Sequence, residues 1–281
     1  MTIRTFAAGL AAAVLALAGP VLAEPKLPPT PRAVVADPGW RLVVADAAQM
    51  EPRVLAAISR DPAFMEVAAR DDDLYQSVSD RAFSGDRGQA KIAVLGAIYG
   101  QTSGDGLKNL ALLRRRFPKA VAYVDDAARD GEEGRLVRTW LGRTSPPAAG
   151  ASDDATEEAG IPQEDGPSAA AGETQQWMPG YASTNSRARG RFARNFVVQG
   201  SAADWALLML AALRRACAGL AAELVFFQHD EVIVHCPDEE AATVVAAIQE
   251  AADLAMRLTF GETPVRIPFT TGVVECYADA K

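Results

Sequence analysis

Short runs of consecutive apolar residues alternate along this chain with longer stretches in which apolar positions recur every three or four residues. The first run, Leu42-Val43-Val44-Ala45, stops at Asp46. A second, Leu224-Val225-Phe226-Phe227, leads through Gln228-His229-Asp230-Glu231 into a third, Val232-Ile233-Val234. Such runs read as buried strands, and the pair flanking His229-Asp230 reads as a hairpin. Helical spacing predicts helices over 47–60, 73–83, 87–99, 107–116, 120–130, 187–222 (broken near Gly200) and 239–258. Asp61-Pro62 interrupts the first of these and Gly100 is placed to stop the third. A short strand over 137–141 and a closing strand over 271–276 complete the pattern. Strands scattered among helices, with an antiparallel hairpin, predict an α+β fold. In it a palm-like antiparallel sheet is covered by helices, and a helical subdomain is inserted between the first strand and the hairpin.

Two segments stand apart. Residues 1–23 combine a positive start, an apolar stretch from Phe6 to Ala18 and a small-residue site at Val21-Leu22-Ala23, the pattern of a secretory signal peptide. A Pro-rich linker over 24–37 follows. The stretch 144–176 is low-complexity Ala, Pro, Gly, Ser and acid, and is expected to be a disordered insertion.

Charge changes this picture in one respect. The net charge of −8 is the wrong sign for a nucleic-acid binder. Seven acids fall in 144–176, which has no Lys or Arg, so the remainder is near neutral and leaves room for a basic face. Three separated cysteines (Cys217, Cys236, Cys276) with no CxxC pair and two histidines (His229, His235) argue against a zinc or disulfide framework, and the thiols read as buried small hydrophobes.

The chemistry lies in acids at strand ends and cations on a helix. Asp46 has an ordinary reading as the first residue of a capping box, Asp46-Ala47-Ala48-Gln49. Asp230 has one as a turn residue. If their strands share a sheet, however, the two carboxylates converge and form an oxygen-rich site suited to Mg²⁺. Between them Arg87, Lys91, Leu95 and Tyr99 recur every four residues, a stripe about 18 Å long that can follow a triphosphate. Together these features point to phosphoryl or nucleotidyl transfer.

The residues also match a known pattern. Asp46, Gln49, Glu51 and Arg53 resemble motif A of the family A (polymerase I-like) DNA polymerases. Arg87 and Lys91 through Tyr99-Gly100 resemble motif B, the fingers helix, and His229-Asp230-Glu231 resembles motif C. Arg191, Asn195 and Gln199 fit the DNA-contacting helix of that family. The resemblance spans 32–281 and is closest to actinobacterial members. It implies a palm over 38–61 and 177–281 and fingers over about 62–143. It also implies DNA-directed DNA synthesis in replication or repair, by a monomer acting on DNA template–primer and deoxynucleoside triphosphates, with no membrane partner. Asp46 and Asp230 would hold two Mg²⁺ ions. Arg87 and Lys91 would grip the triphosphate, with Lys91 the general acid. Tyr99 would pack by the templating base and Glu51 would exclude a ribose 2′-hydroxyl. Gln49, Arg191, Asn195, Gln199, His229 and Glu231 would contact the primer–template or support the metal site.

Leu95 stands where the family usually has an aromatic residue, and Tyr75 where a histidine is expected. The resemblance also implies a thumb and an exonuclease-like region before motif A. Only the signal-like segment and the linker precede it here, so weak DNA binding and low processivity are expected. Two alternatives stay open. One is an inactive fragment that only binds DNA or nucleotide; the other is an exported protein on a borrowed polymerase fold. The activity implies a cytoplasmic, nucleoid location, whereas residues 1–23 imply export.

Overall fold

The computed structural model describes residues 34–100, 105–146 and 184–280. The signal-like segment, most of the linker and nearly all of the acidic stretch therefore lie outside the described residues. Four strands, β1 (Trp40–Ala47), β2 (Glu223–Gln228), β3 (Glu231–Pro237) and β4 (Phe269–Val274), form one antiparallel sheet in the order β2-β3-β1-β4. The apolar run before Asp46 is thus an inner strand, flanked by β3 and β4.

Alternation along β1 and β3 divides their side chains between two faces. Val43, Ala45, Ala47, Val232, Val234 and Cys236 enter the main core. There they meet two long helices, α7 (Thr184–Ala216) and α8 (Ala241–Phe260), whose apolar faces include Trp205, Met209, Leu213, Val244, Ile248 and Ala252. Leu42, Val44 and Ile233 face the other way, into a small cluster with Val34, Ala36, Val274, Tyr277 and Ala280. Chain segments from both ends close that side: Ala36 N–H donates to Glu275 C=O at 2.7 Å and Tyr277 N–H to Val34 C=O at 2.9 Å. Helix α7 has the length and hydropathy of a membrane span, yet 61% of its most apolar window is buried inside the fold.

Between β1 and α7 lie α1 (Met50–Ser59), α2 (Pro62–Ala68), α3 (Leu74–Ala82), α4 (Arg87–Tyr99), α5 (Asp105–Arg116) and α6 (Pro118–Glu132). They form the expected helical subdomain. Asp61 is more than a breaker. One carboxylate oxygen accepts from Ala63 and Phe64 N–H at 3.1 Å and caps α2. The other accepts from Lys119 and Ala120 N–H at 2.9 and 3.3 Å, at the start of α6, which has no cap of its own. One buried acid so satisfies orphan donors of two helices.

Other expectations need correction. Asp46 does not open a capping box: it lies inside β1, and α1 starts at Met50 after Gln49 turns through a left-handed conformation (φ 48°) without a side-chain cap. Residues 137–141 form no strand among the described residues, only an isolated bridge between Arg138 and Thr144. Helix α7 is not broken at Gly200. A Cβ there would lie 2.5 Å from Thr139 Cγ2, so the glycine admits the 137–145 loop against an unbroken helix. The neighbouring Ser201 hydroxyl accepts from Trp140 N–H at 2.8 Å and holds that loop in place. The helix ends at Ala216, short of residue 222, and passes into a single tight turn at Cys217–Gly219.

Candidate active site

Pairing of β1 with β3 places Asp46 opposite Glu231, and Ala47 N–H donates to Asp230 C=O at 2.9 Å. The backbones of the two aspartates therefore lie side by side at one end of the sheet, Asp46 on an inner strand and Asp230 in the β2–β3 turn. Glu231 joins them, and its Oε1 accepts from the Tyr277 hydroxyl at 2.6 Å. Tyr277 was not singled out in the sequence; lying after the last strand, far from either acid, it carried no local signal.

His229 adopts a left-handed backbone (φ 57°) that turns its ring between two acids. Nδ1 lies 3.3 Å from Asp230 Oδ1 and Nε2 lies 3.5 Å from Glu51 Oε1. Hydrogen bonding to Asp230, then to Glu51, pushes its pKa up to about 10 against the opposing effect of burial.

Glu51 is 5% exposed and sits in the first turn of α1, where the helix dipole favours an anion. Its Oε2 accepts from the Tyr99 hydroxyl at 2.5 Å and its Oε1 from Gln199 Nε2 at 3.0 Å. Burial alone would raise its pKa, but bonds from His229, Tyr99 and Gln199 outweigh it and hold the carboxyl below 4.5. Gln199 in turn accepts from Asn195 Nδ2 at 2.9 Å, one turn earlier on α7. Asn195 Oδ1 is buried without a hydrogen-bond partner among the described residues. Arg191, a further turn back, is exposed and runs past Gly100, whose φ of 77° ends α4. A Cβ at Gly100 would come within 3.0 Å of Arg191 Cγ.

Helix α4 thus delivers Tyr99 to the buried group, with Leu95 half-buried a turn before it. Lys91 and Arg87 are not drawn in. Lys91 is exposed, and Arg87 is paired instead with Asp73, Nε to Oδ2 at 2.5 Å. Gln49 Oε1 lies 3.5 Å from Arg53 Nη2. Arg53 itself, fully buried, donates to the carbonyls of Ala68, Arg70, Arg266 and Asp72 at 2.7–3.0 Å. Its place in motif A is therefore architectural. It fastens the loop before α3 to the start of α1, and only the assembled fold reveals that use.

No cluster of three or more acids, histidines or cysteines among the described residues is already arranged around a metal. The donor set nevertheless fits a hard divalent cation. Asp46 and Asp230 offer only oxygens, and Mg²⁺ takes its remaining ligands from water and phosphate.

The sheet thus carries Asp46 and Asp230 at one end, and the helical subdomain carries Arg87, Lys91 and Tyr99 along one helix. The chain belongs to DNA polymerase family A, whose profile matches residues 29–274. It is 28% identical over 264 residues to DNA polymerase I of Bacillus subtilis, covering 85% of this chain and 26% of that protein. It is 27% identical over 249 residues to DNA polymerase I of Chloroflexus aurantiacus, covering 80% of this chain and 23% of the relative. The chain thus spans about a quarter of the length of these relatives. In fold it is similar to the POL domain of Pol1 from M. smegmatis, solved in complex with DNA primer–template and dNTP. That likeness has a TM-score of 0.66 at 22% identity and covers 88% of this chain and 41% of that one.

Proposed function

We propose that this chain carries the polymerising centre of a family A DNA polymerase, adding deoxynucleotides to a primer 3′-hydroxyl. The observation that carries this reading is the β1–β3 pairing that sets Asp46 beside the Asp230 turn, with Tyr99 at the end of α4 bonded to Glu51 and Arg87 and Lys91 on exposed earlier turns of the same helix. Asp46 and Asp230 would hold two Mg²⁺ ions, which when bound acidify the attacking hydroxyl and neutralise phosphate charge. The 3′-oxygen attacks the α-phosphorus, a new P–O bond forms, and the bond to the β-phosphate oxygen breaks to release pyrophosphate. Arg87 grips the outer phosphates, and Lys91 gives a proton to the departing pyrophosphate. Most of the rate gain comes from positioning and charge stabilisation.

The remaining roles extend the family resemblance to residues around this centre. Glu51, locked by Tyr99 and Gln199, crowds the sugar C2′ position and selects deoxyribose. Tyr99 and Leu95 flank the insertion site. Arg191, Asn195 and Gln199 line α7 toward the primer–template, and His229, Glu231 and Gln49 support the primer end and the acid pair. Primer extension with Mg²⁺ and four deoxynucleotides tests the assignment. Template-directed extension is expected, with a loss of at least about a thousandfold in Asp230→Ala. A folded chain that binds nucleotide but extends nothing would sink the catalytic claim in favour of a binding fragment.

A further inference from the structure

Arg87 stands in the first turn of α4, the end of a helix where the macrodipole disfavours a cation. Asp86 caps that turn, accepting from Gln89 N–H at 2.9 Å. The guanidinium is held from a different direction, by two residues at the start of α3. Asp73 Oδ2 accepts from Arg87 Nε at 2.5 Å, and the guanidinium carbon lies 5.7 Å from the centroid of the Tyr75 ring. Both holders are themselves fixed. The other oxygen of Asp73 accepts from Tyr75 and Gln76 N–H at 2.9 and 3.4 Å. The carbonyl of Asp72 accepts from the buried Arg53 at 2.8 Å, and Tyr75 is 7% exposed.

How the guanidinium is shared decides what remains for a ligand. Asp73 takes Nε, while Nη1 and Nη2 have no hydrogen-bond partner among the described residues. Two parallel N–H donors of fixed orientation match a phosphate edge, and an aromatic face restrains the plane that carries them. We propose, building on the polymerase reading above, that Asp73 and Tyr75 are positioning residues for nucleotide binding: they aim the free end of Arg87 at the outer phosphates of the incoming triphosphate. The Tyr75 ring then stands in for a direct phosphate contact by organising a neighbouring one. Fixing Arg87 beforehand spares the rotamer entropy that an unrestrained arginine would lose on binding.

The test measures deoxynucleoside triphosphate affinity of the full chain on a dideoxy-terminated primer–template, alongside KM and kcat for extension. Asp73→Asn keeps the helix cap, since Asn caps as well as Asp, and a melting curve checks that it does. Its expected effect is an increase of about tenfold in both Kd and KM with little change in kcat. Tyr75→Leu should weaken binding about threefold, and Tyr75→Phe, which keeps the ring, should restore it. Asp73→Asn added to Arg87→Ala should do nothing further, because the residue it positions is gone. Unchanged or tighter nucleotide binding in Asp73→Asn, with Arg87→Ala still weak, would overturn the positioning role and leave the polymerase reading standing. No effect from Arg87→Ala would remove both the positioning role and the phosphate grip assigned to Arg87.

Discussion

Helix α4 meets the candidate site differently at its two ends. At the C-terminal end Tyr99, itself partly exposed, bonds the buried Glu51, which is also bonded by an amide and an imidazole, so that three separate elements meet on one carboxylate. Toward the N-terminal end, about two to three turns away, Lys91 and Arg87 stand on the open face, and Arg87 is paired with Asp73. The contrast separates two physical jobs. A side chain that must exclude one atom of a sugar has to be immobile, and immobility comes from burial and saturated hydrogen bonding. A side chain that must receive a highly charged, mobile ligand has to keep donors free and water-accessible until the ligand arrives. One helix reaches both because its last turn hands Tyr99 to Glu51 of α1 and Gln199 of α7, while its first turn is held at the start of α3 through Asp73.

Perturbing each end separately should expose that division. Lys91→Ala is expected to give the largest change, a loss of about a hundredfold or more in extension rate with the melting temperature unchanged. Rapid-quench extension and a thermal melt on the same preparation check both halves. Glu51→Ala should do the reverse: it strips acceptors from Tyr99, Gln199 and His229, destabilises the fold by about 2 kcal/mol and raises ribonucleotide incorporation. Denaturant unfolding and a ribonucleotide competition assay read these effects. Tyr99→Phe removes one hydrogen bond from the same knot and should cost about 1 kcal/mol, half the effect of losing the acid.

The smallest expected effect is on pH dependence without metal. The folded-state pKa of Glu51 lies below its ordinary 4.5, so its contribution is intact above that value and is lost as pH falls below it. His229 is raised from 6.5 to about 10, so its contribution is intact below 6.5 and is lost as pH climbs toward 10. Melting curves in chelator should therefore decline at both limbs. Glu51→Gln should flatten the acid limb and His229→Gln the alkaline one, while Lys91→Ala should flatten neither.

Much of this division was legible before any coordinates. Apolar runs marked the strands, and the four-residue spacing put Arg87, Lys91, Leu95 and Tyr99 on one face of α4. Local order sufficed for these because strand and helix periodicity are nearest-neighbour properties of the chain. The false break has an equally local cause: Gly200 mimics a helix break because a glycine needed for close packing looks, in sequence, like one needed for a turn.

The sequence by itself determined most of the elements, the polymerase motifs and the chemical types at the site: carboxylates at strand ends, cations along a helix, an acid and a tyrosine to meet between them. Only the tertiary structure decided the partnerships. β1 had to pair with β3 before Asp46 could meet the Asp230 turn, and Tyr277 had to fold back before it could bond Glu231. Asp61 became a double cap only when α2 and α6 came together, and Arg53 and Asp73 acquired their tasks only once the loop before α3 was folded against α1. The reason is physical. A residue type states what bonds a side chain can make, whereas partners far apart in the chain are chosen by the packing of the core that carries them.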